Sequence, residues 1–531
     1  EAPEVKNARS MKRDHPLTVE QLYMVDYQLY TPRSTMYNLF TMMRMDKDTF
    51  DMQKMADAMH TAIRNHPALL TTFHFNEDGD IVQRYTPDVL QDIHVEKLSE
   101  FEFNNIKDNL VQPFKIIGGC MHRCRVFETE KYGYIFFDVH HTLFDGTSLK
   151  LFMQNVGKAF MGMQPDPDLY YLILQNREDE QETEFYQESK KYFENRFEGV
   201  EWSSYPETDH ESRENEMGEV LAPLGIEQPQ MKAMERRYRI SRNEFFITVA
   251  AIAISVYNRR DDIKISWNYH GRESMEYMTS VGLLFRELPV GIRFRPERTI
   301  RDVFSDVQDQ VRKGIEHCCY PYVDIHGEVA TGESAYLLYQ QDLRDTESLE
   351  AAGIEVVDVR QNQAASQTIL DMEILDGADG LQLMIDFSAS WYNEKSIEKF
   401  ARIFAGTAQL IAQHNGQEDL TIKEITHMIQ KEVRREAFGE PGSDERSLLG
   451  MIGETISEGV LRRRNDSEET ADGPDTRRDA GGNLLSESLQ WGKEAVMKSA
   501  EVLPGAGLVK ETVRGGGTLL RHFSARIRRK R

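Results

Sequence analysis

The chain has 531 residues, of which 40% are hydrophobic and 29% are charged, and its formal net charge is −24. That length allows two or more domains, each with its own buried core. The acidic charge argues against nucleic-acid binding, because a phosphate backbone requires a basic face. The most apolar stretch, residues 245–257, is too short to span a bilayer, so a membrane location is not expected.

The cysteine content also limits the possible classes of protein. Four cysteines are too few for a disulfide scaffold and suit a reducing cytoplasm. Cys120 and Cys124 flank His122, but no second ligand pair with the usual spacing accompanies them, so we expect no metal site. The chain begins at Glu1 without a basic and apolar leader, which favours a processed or excised piece.

Two helices are predicted near the N-terminus. Thr18 and Gln21 have the spacing of a capping box at the start of the first helix. Apolar residues then recur on one face of that helix, at Leu22, Val25 and Leu29. The second helix carries a methionine stripe and is expected to end before Pro67. Its predicted core positions are Met52, Met55, Met59 and Ile63.

Residues 134–148 read YIFFDVHHTLFDGTS, an apolar strand that ends in two adjacent histidines. Since side chains alternate across a strand, His141 shares a face with Phe137 and Val139, whereas His140 points to the other face. An imidazole beside a desolvated apolar face can remain neutral near pH 7 and accept a proton. His141 is therefore the candidate base.

Asp145 and Gly146 follow the histidines, just before a helix that we predict to open at Thr147. Asp145 could cap this helix, pair with a buried arginine or orient the imidazole, and the pattern leaves these three roles open. Gly146 permits a tight turn. The stretch predicts a strand, a histidine, a sharp turn and a helix, which can hold a catalytic group on rigid elements.

The rest of the body alternates strand and helix patterns, so we predict an α/β architecture. An acidic stretch with aromatic residues, from about 165 to 220, is predicted to be an exposed connection with one helix between two halves. Residues 245–257 should form a helix packed between layers, and a following strand should turn at Gly271. Near the end of the body, Asn393 should cap a helix that ends before Gly416.

The C-terminal segment differs in kind from the body. Residues 441–531 contain 13 of the 35 glycines, none of the 21 tyrosines, and 12 arginines against 4 lysines. We expect a Gly/Arg-rich tail over 436–531 that is largely disordered, with a folded module as the alternative. Its basic end could be a docking arm, a membrane-surface contact or an out-of-frame end.

The heptapeptide HHTLFDG resembles the HHxxxDG motif of the condensation domains of nonribosomal peptide synthetases, which belong to the chloramphenicol acetyltransferase-like superfamily. Four further segments resemble motifs of these domains and occur in the family's order over about residues 14–430. They are HPLTVEQLYMVDYQL, NHPALLTTF, SVGLLFRELPV and EHCCYPYVDI. The sequence departs from the family at two arginine positions, occupied by Asn65 and Leu70, and at an Asn-Thr pair, here Arg286-Glu287.

The resemblance implies two acetyltransferase-like lobes that form a V-shaped pseudo-dimer with a central tunnel. We expect an N-terminal lobe over 1–170 and a linker with a C-terminal lobe over 171–435. Upstream and downstream carrier proteins, and neighbouring synthetase modules, would be the partners, and the carriers would insert phosphopantetheine arms from both sides. An acceptor amine would attack a donor thioester to form an amide in secondary metabolite biosynthesis, without a cofactor bound by this chain itself.

The resemblance also implies roles for residues in the site. His141 would accept the amine proton, or hold the amine and stabilise the tetrahedral intermediate. The residues expected to support the site are His140, Asp145 and Gly146. The candidates to pair with Asp145 or to line the channel are Arg64, Arg286 and Arg272.

Two alternatives to amide formation between carriers remain open. One is a free-standing acyltransferase of the same superfamily with a soluble alcohol or amine acceptor. The other is a non-catalytic domain that recruits carriers, although such a domain would have no need to keep His141.

Overall fold

A computed structural model of the chain describes residues 14–209, 217–326, 335–341, 354–357, 369–377, 380–414 and 418–438. Almost all of them belong to one compact unit. Residues 26–33 are grouped with a second unit, whose other members, 473–531, lie outside the described residues. Gly416 and the predicted tail from residue 439 onward also lie outside them.

The strands divide between the two halves of the body. The first half contains β1 (Asp14–Pro16), β2 (Asn38–Asp46), β3 (Thr71–Phe75), β4 (Ile81–Tyr85), β5 (Val95–Lys97), β6 (His122–Glu128) and β7 (Tyr132–His140). The second half contains β8 (Met217–Pro223), β9 (Asp262–Tyr269), β10 (Arg286–Arg293), β11 (Ala335–Gln341), β12 (Ile354–Val356), β13 (Leu370–Gly377) and β14 (Gly380–Ser388).

Three sheets result from the pairing of these strands. A small antiparallel sheet has the order β1-β4-β3, and a five-stranded sheet has the order β12-β2-β7-β6-β5. The second half forms a six-stranded sheet of order β10-β9-β11-β13-β14-β8. Because β12 comes from the second half and pairs with β2, the chain crosses back to complete the sheet in which β7 ends at His140.

Helices cover these sheets. They are α1 (Val19–Tyr30), α2 (Met52–Asn65), α3 (Glu100–Ile106), α4 (Gly146–Phe160), α5 (Tyr170–Glu180), α6 (Glu184–Phe197), α7 (Gln228–Tyr238), α8 (Arg242–Asn258), α9 (Ile300–Glu316), α10 (Tyr322–His326), α11 (Glu394–Gln413) and α12 (Ile422–Phe438). The most deeply buried is α8, which packs against β9, α9 and α11. The α/β class is confirmed, and the first three residues of the predicted tail, 436–438, end α12.

The two predicted N-terminal helices are confirmed, but the buried face of α1 is partly polar. The Thr18 amide donates to the Gln21 side chain over 3.0 Å, as a capping box requires. Gln21 and Val25 are buried, whereas Leu22 is only partly buried. The Gln21 side-chain amide donates to the Thr142 carbonyl over 2.9 Å, so this capping-box residue also lies on the buried face of the helix.

The prediction of an exposed connection with one helix between residues 165 and 220 is wrong. Two helices, α5 and α6, occupy that stretch, and each buries one side. Most of the acidic residues are exposed or only partly buried, while aromatic and aliphatic residues at helical spacing pack inward. The buried aromatic residues among these are Tyr170, Tyr186, Phe193 and Phe197.

No single helix among the described residues is long and apolar enough to cross a membrane. Helices α7 and α8 meet the length and composition criteria only when they are joined, and the chain bends by 92° between them.

Candidate active site

The two histidines lie where β7 gives way to a turn. His140 is the last residue of β7, and residues 141–143 form a short 3-10 turn. Asp145 then caps α4, where its Oδ1 accepts the Ser148 amide over 2.8 Å. The helix therefore begins at Gly146, one residue before the predicted start, because a carboxylate at the N-cap satisfies a free amide of the first turn.

A cavity of about 740 Å3 lies beside this turn and is lined by residues of both halves of the chain. Phe137, Val139 and His141 line it together, whereas His140 does not, as the alternation of the strand predicts. The main lining residues from the second half are Trp267, Asn268, Tyr269, His270, Phe285 and Tyr336. The cavity is thus largely aromatic, with a few polar groups.

His140 is fully enclosed by protein. Its Nδ1 accepts the Thr142 amide over 3.3 Å and lies 2.9 Å from the Thr142 hydroxyl oxygen. Burial lowers the pKa of His140 to about 3, with smaller contributions from His141 and Arg123. His140 is therefore neutral and holds the turn that presents His141.

His141 presents one ring nitrogen to the cavity. Its Nδ1 is enclosed and has no hydrogen-bond partner among the described residues. Because Nδ1 is enclosed while the residue is partly exposed and lines the cavity, we infer that Nε2 is the nitrogen open to the cavity. Burial lowers the pKa of the imidazole, although its own carbonyl and the Asp145 carboxylate oppose the effect. A neutral imidazole with an open nitrogen can accept a proton.

The Asp145 carboxylate directs its hydrogen bonds away from the imidazole and joins the two halves of the chain. Arg272 donates to both of its oxygens over 3.1 Å, and the Leu284 amide donates over 3.0 Å. Burial would raise the pKa of Asp145, but the Arg272 guanidinium and these hydrogen bonds hold it below the usual range. Of the three roles left open by the sequence, Asp145 has two: it caps α4 and pairs with an arginine.

The three candidate arginines lie in different environments. Arg272 is buried and pairs with Asp145, a contact between residues 127 positions apart. Arg286 is buried and pairs with Glu20 over 2.8 Å. Arg64 lies exposed in the last turn of α2. Of these three arginines, only Arg272 therefore forms an ion pair with Asp145.

Arg177 supports the site and was missed by the sequence analysis. It is buried in α5, and its Nη2 donates to the carbonyls of Gly271 and Leu284 over 3.0 and 2.8 Å. These two carbonyls belong to the segments that hold Asp145. A signal was present, because Arg177 continues the helical spacing of Tyr170 and Leu174, and an arginine within a buried stripe indicates a polar role.

Gly271 should tolerate no side chain. Its φ is +64°, and an added Cβ would lie 1.7 Å from the Leu284 carbonyl oxygen. We expect Gly271→Ala to lower the free energy of unfolding by at least about 2 kcal/mol, since both strain and a backbone clash oppose it. Urea unfolding followed by circular dichroism measures the change.

Gly157→Ala is the matched control for that substitution. Gly157 lies exposed within α4, and its added Cβ meets nothing within 4 Å. Alanine there should raise stability by roughly 0.5–1 kcal/mol, because it favours the helix. Equal effects of the two substitutions would contradict the crowding at Gly271.

Two enclosed histidines predict how stability depends on pH. Burial lowers the pKa of His140 to about 3 and that of His122 to about 4, from an ordinary value of 6.5. Below pH 6.5 the unfolded chain binds protons at these histidines, whereas the folded chain does not. The free energy of unfolding is therefore at its full value above pH 6.5 and decreases as the pH drops below 6.5. Each histidine should cost about 1.4 kcal/mol per pH unit in that window.

His122→Gln tests this dependence through urea unfolding at pH 6.5 and pH 5. His122 Nδ1 donates to the Leu69 carbonyl over 2.8 Å, and a glutamine amide can supply that donor without binding a proton. The variant should therefore lose less stability than the wild-type chain on acidification. If the variant and the wild-type chain lose the same free energy of unfolding between pH 6.5 and pH 5, His122 binds its proton in the folded state as readily as in the unfolded state.

No group of three or more histidine, cysteine, aspartate or glutamate side chains that could hold a metal ion occurs within the described part of the chain. Cys120 instead lies 3.3 Å from His122 Nδ1, and the four cysteines are free thiols.

Comparison with known proteins connects this geometry to one family. The family described as "Condensation domain" matches residues 11–432. The chain is 20% identical over 448 residues to tyrocidine synthase 2 of Brevibacillus parabrevis, an alignment that covers 79% of this chain. It spans only 12% of the length of that synthase.

Solved structures show the same fold. The condensation domain of the monacolin K polyketide synthase aligns with a TM-score of 0.63 and 17% identity, over 76% of this chain and 99% of that one. The epimerization domain from the third module of tyrocidine synthetase B aligns with a TM-score of 0.61 and 15% identity, over 76% and 97%. The predicted fold of two acetyltransferase-like lobes is therefore confirmed.

Proposed function

This chain belongs to the family of condensation domains, and on that premise we propose that it forms an amide bond between two carrier-bound substrates. The donor would be an acyl or peptidyl thioester, and the acceptor would be an aminoacyl thioester with a free amine. The observation that carries the proposal is His141, whose neutral ring presents Nε2 to a cavity lined by both halves of the chain.

The proposed reaction is a nucleophilic substitution at the thioester carbonyl carbon. The acceptor nitrogen forms a bond to that carbon, and the bond from carbon to the donor sulfur breaks. His141 Nε2 accepts the proton that the amine loses, or holds the amine as the tetrahedral intermediate forms. The donor arm leaves as a thiol after it takes up one proton.

Binding two tethered substrates in one cavity would supply much of the rate. Orientation of reactants is worth several kcal/mol, because the reaction becomes effectively unimolecular. The aromatic lining should keep the site poor in water and thereby limit hydrolysis of the donor thioester. His140, Asp145, Gly146 and Arg272 would keep the turn of His141 in place.

The proposed partners are an upstream and a downstream carrier protein, each with a phosphopantetheine arm, together with neighbouring synthetase modules. The match to short segments of much longer synthases supports this assignment. We propose the cytoplasm as the compartment, since the four free thiols suit a reducing environment.

A transfer assay tests the proposed function. The protein is incubated with a donor-loaded and an acceptor-loaded carrier, and the acyl chain is followed by intact-protein mass spectrometry. The acceptor carrier should gain the mass of the acyl chain. Transfer only from a free coenzyme A thioester to a small acceptor would instead indicate a free-standing acyltransferase, and carrier binding without transfer would indicate recruitment.

A further inference from the structure

A second histidine, His270, lines the same cavity as His141. It follows β9, and its side chain is exposed on the cavity side. The sequence predicts only a turn at the neighbouring Gly271, and none of the roles described above uses His270.

The position of the His270 ring is fixed from several sides. Its Nδ1 accepts the Arg272 amide over 3.0 Å, and the Arg272 side chain donates to the His270 carbonyl over 3.0 Å. The ring also packs against Tyr269, with 4.5 Å between ring centroids. Gly271 provides the positive φ that this tight turn requires.

These contacts determine which ring nitrogen of His270 carries the proton. A backbone amide can only donate, so Nδ1 is the acceptor and the proton of the neutral ring lies on Nε2. Burial and the Arg272 cation lower the pKa of His270, which favours the neutral ring at pH 7. Nε2 has no hydrogen-bond partner among the described residues. The ring therefore offers the cavity one fixed N–H donor.

We propose that His270 is a substrate-binding residue whose Nε2–H donates a hydrogen bond to a carbonyl oxygen of the carrier-tethered substrate. The inference rests on the proposed function, because acylated pantetheine is the carbonyl-bearing ligand that such a cavity would receive. The acceptor oxygen belongs either to the acyl group or to an amide of the pantetheine arm. His141 and His270 then have separate tasks: one accepts a proton, and the other fixes the substrate.

Two substitutions separate the cavity donor from the turn. His270→Asn keeps an acceptor oxygen near the position of Nδ1, so the bond from the Arg272 amide can form, but it lacks a donor at the position of Nε2. His270→Gln keeps a donor near Nε2 and gives up the acceptor near Nδ1. His94→Phe is the control, since His94 is exposed and does not line this cavity.

Binding is measured by isothermal titration calorimetry, which needs no turnover. The first probe is pantetheine that carries an acyl group through a stable amide in place of the thioester. We expect His270→Asn to weaken its binding about 10-fold, as loss of one hydrogen bond would. His270→Gln and the His94 control should stay within about 3-fold of the wild-type chain.

The second probe identifies the oxygen that is bound. S-alkyl pantetheine keeps the two amides of the arm but lacks the acyl carbonyl. If His270→Asn weakens both probes, the oxygen belongs to the arm, and if it weakens only the first, the oxygen belongs to the acyl group.

Two outcomes would overturn the proposal in different ways. Wild-type affinity in His270→Asn, or a loss confined to His270→Gln, would show that His270 serves only the turn and would leave the proposed function intact. Failure of the wild-type chain to bind either probe would remove the proposed function and this inference with it.

Discussion

His141→Ala is expected to lower the rate of acyl transfer between two loaded carriers by roughly 100-fold or more. The substitution removes the ring nitrogen that is open to the cavity. Nδ1 makes no hydrogen bond of regular geometry among the described residues, so the change should cost little stability and the chain should stay folded. Intact-protein mass spectrometry measures the rate, and circular dichroism verifies the fold.

A matched variant shows whether the effect belongs to this histidine. His60 lies partly exposed on α2 and does not line the cavity, so His60→Ala should transfer at the wild-type rate. Retention of more than about a tenth of the activity by His141→Ala would exclude a proton-accepting role, since that lies below the usual contribution of a general base.

The pH dependence of transfer provides a second measure of the same role. Burial lowers the pKa of His141 below its ordinary 6.5, and only the neutral ring can accept a proton. Ionisation of His141 should therefore not limit the rate around pH 7 and should limit it only below the usual titration range of histidine. A fall centred at or above pH 6.5 would mean that another group controls transfer.

The strand, turn and helix around the histidines could be predicted because their signals are local. Alternation along β7 separates His141 from His140, and a carboxylate before a helix is a common cap. The structure agrees on both points, with the helix start displaced by one residue. The catalytic role of His141 stays a prediction, because no comparison measures activity.

The partners of the buried charges could not be predicted from local patterns. Asp145 meets Arg272 only after the two halves fold together, and Arg286, which was named as a candidate partner of Asp145, pairs with Glu20 instead. The stretch around α5 was misjudged for a related reason. Its overall acidity concealed a buried face, and the position of Arg177 on that face follows from helical spacing, not from composition.

Removal of either member of the Asp145–Arg272 pair should destabilise the chain by about 3–5 kcal/mol, because it leaves a buried charge without its partner. Both side chains are almost completely enclosed. Asp145→Asn can still cap α4, so the free energy of unfolding that this variant loses would come mainly from the unpaired charge of Arg272. Arg272→Met fills a similar volume without charge. Urea unfolding gives the free energy of each variant.

The double variant distinguishes an ion pair from two independent contacts. Asp145→Asn with Arg272→Met removes both charges, so it should cost less than the sum of the two single changes by about 2 kcal/mol or more. Arg260→Met, at an exposed pair with Glu201, should change stability little, since solvent screens such pairs. Strict additivity at Asp145 and Arg272 would show that the two halves of the chain are held by their other contacts, and that the pair adds little of its own.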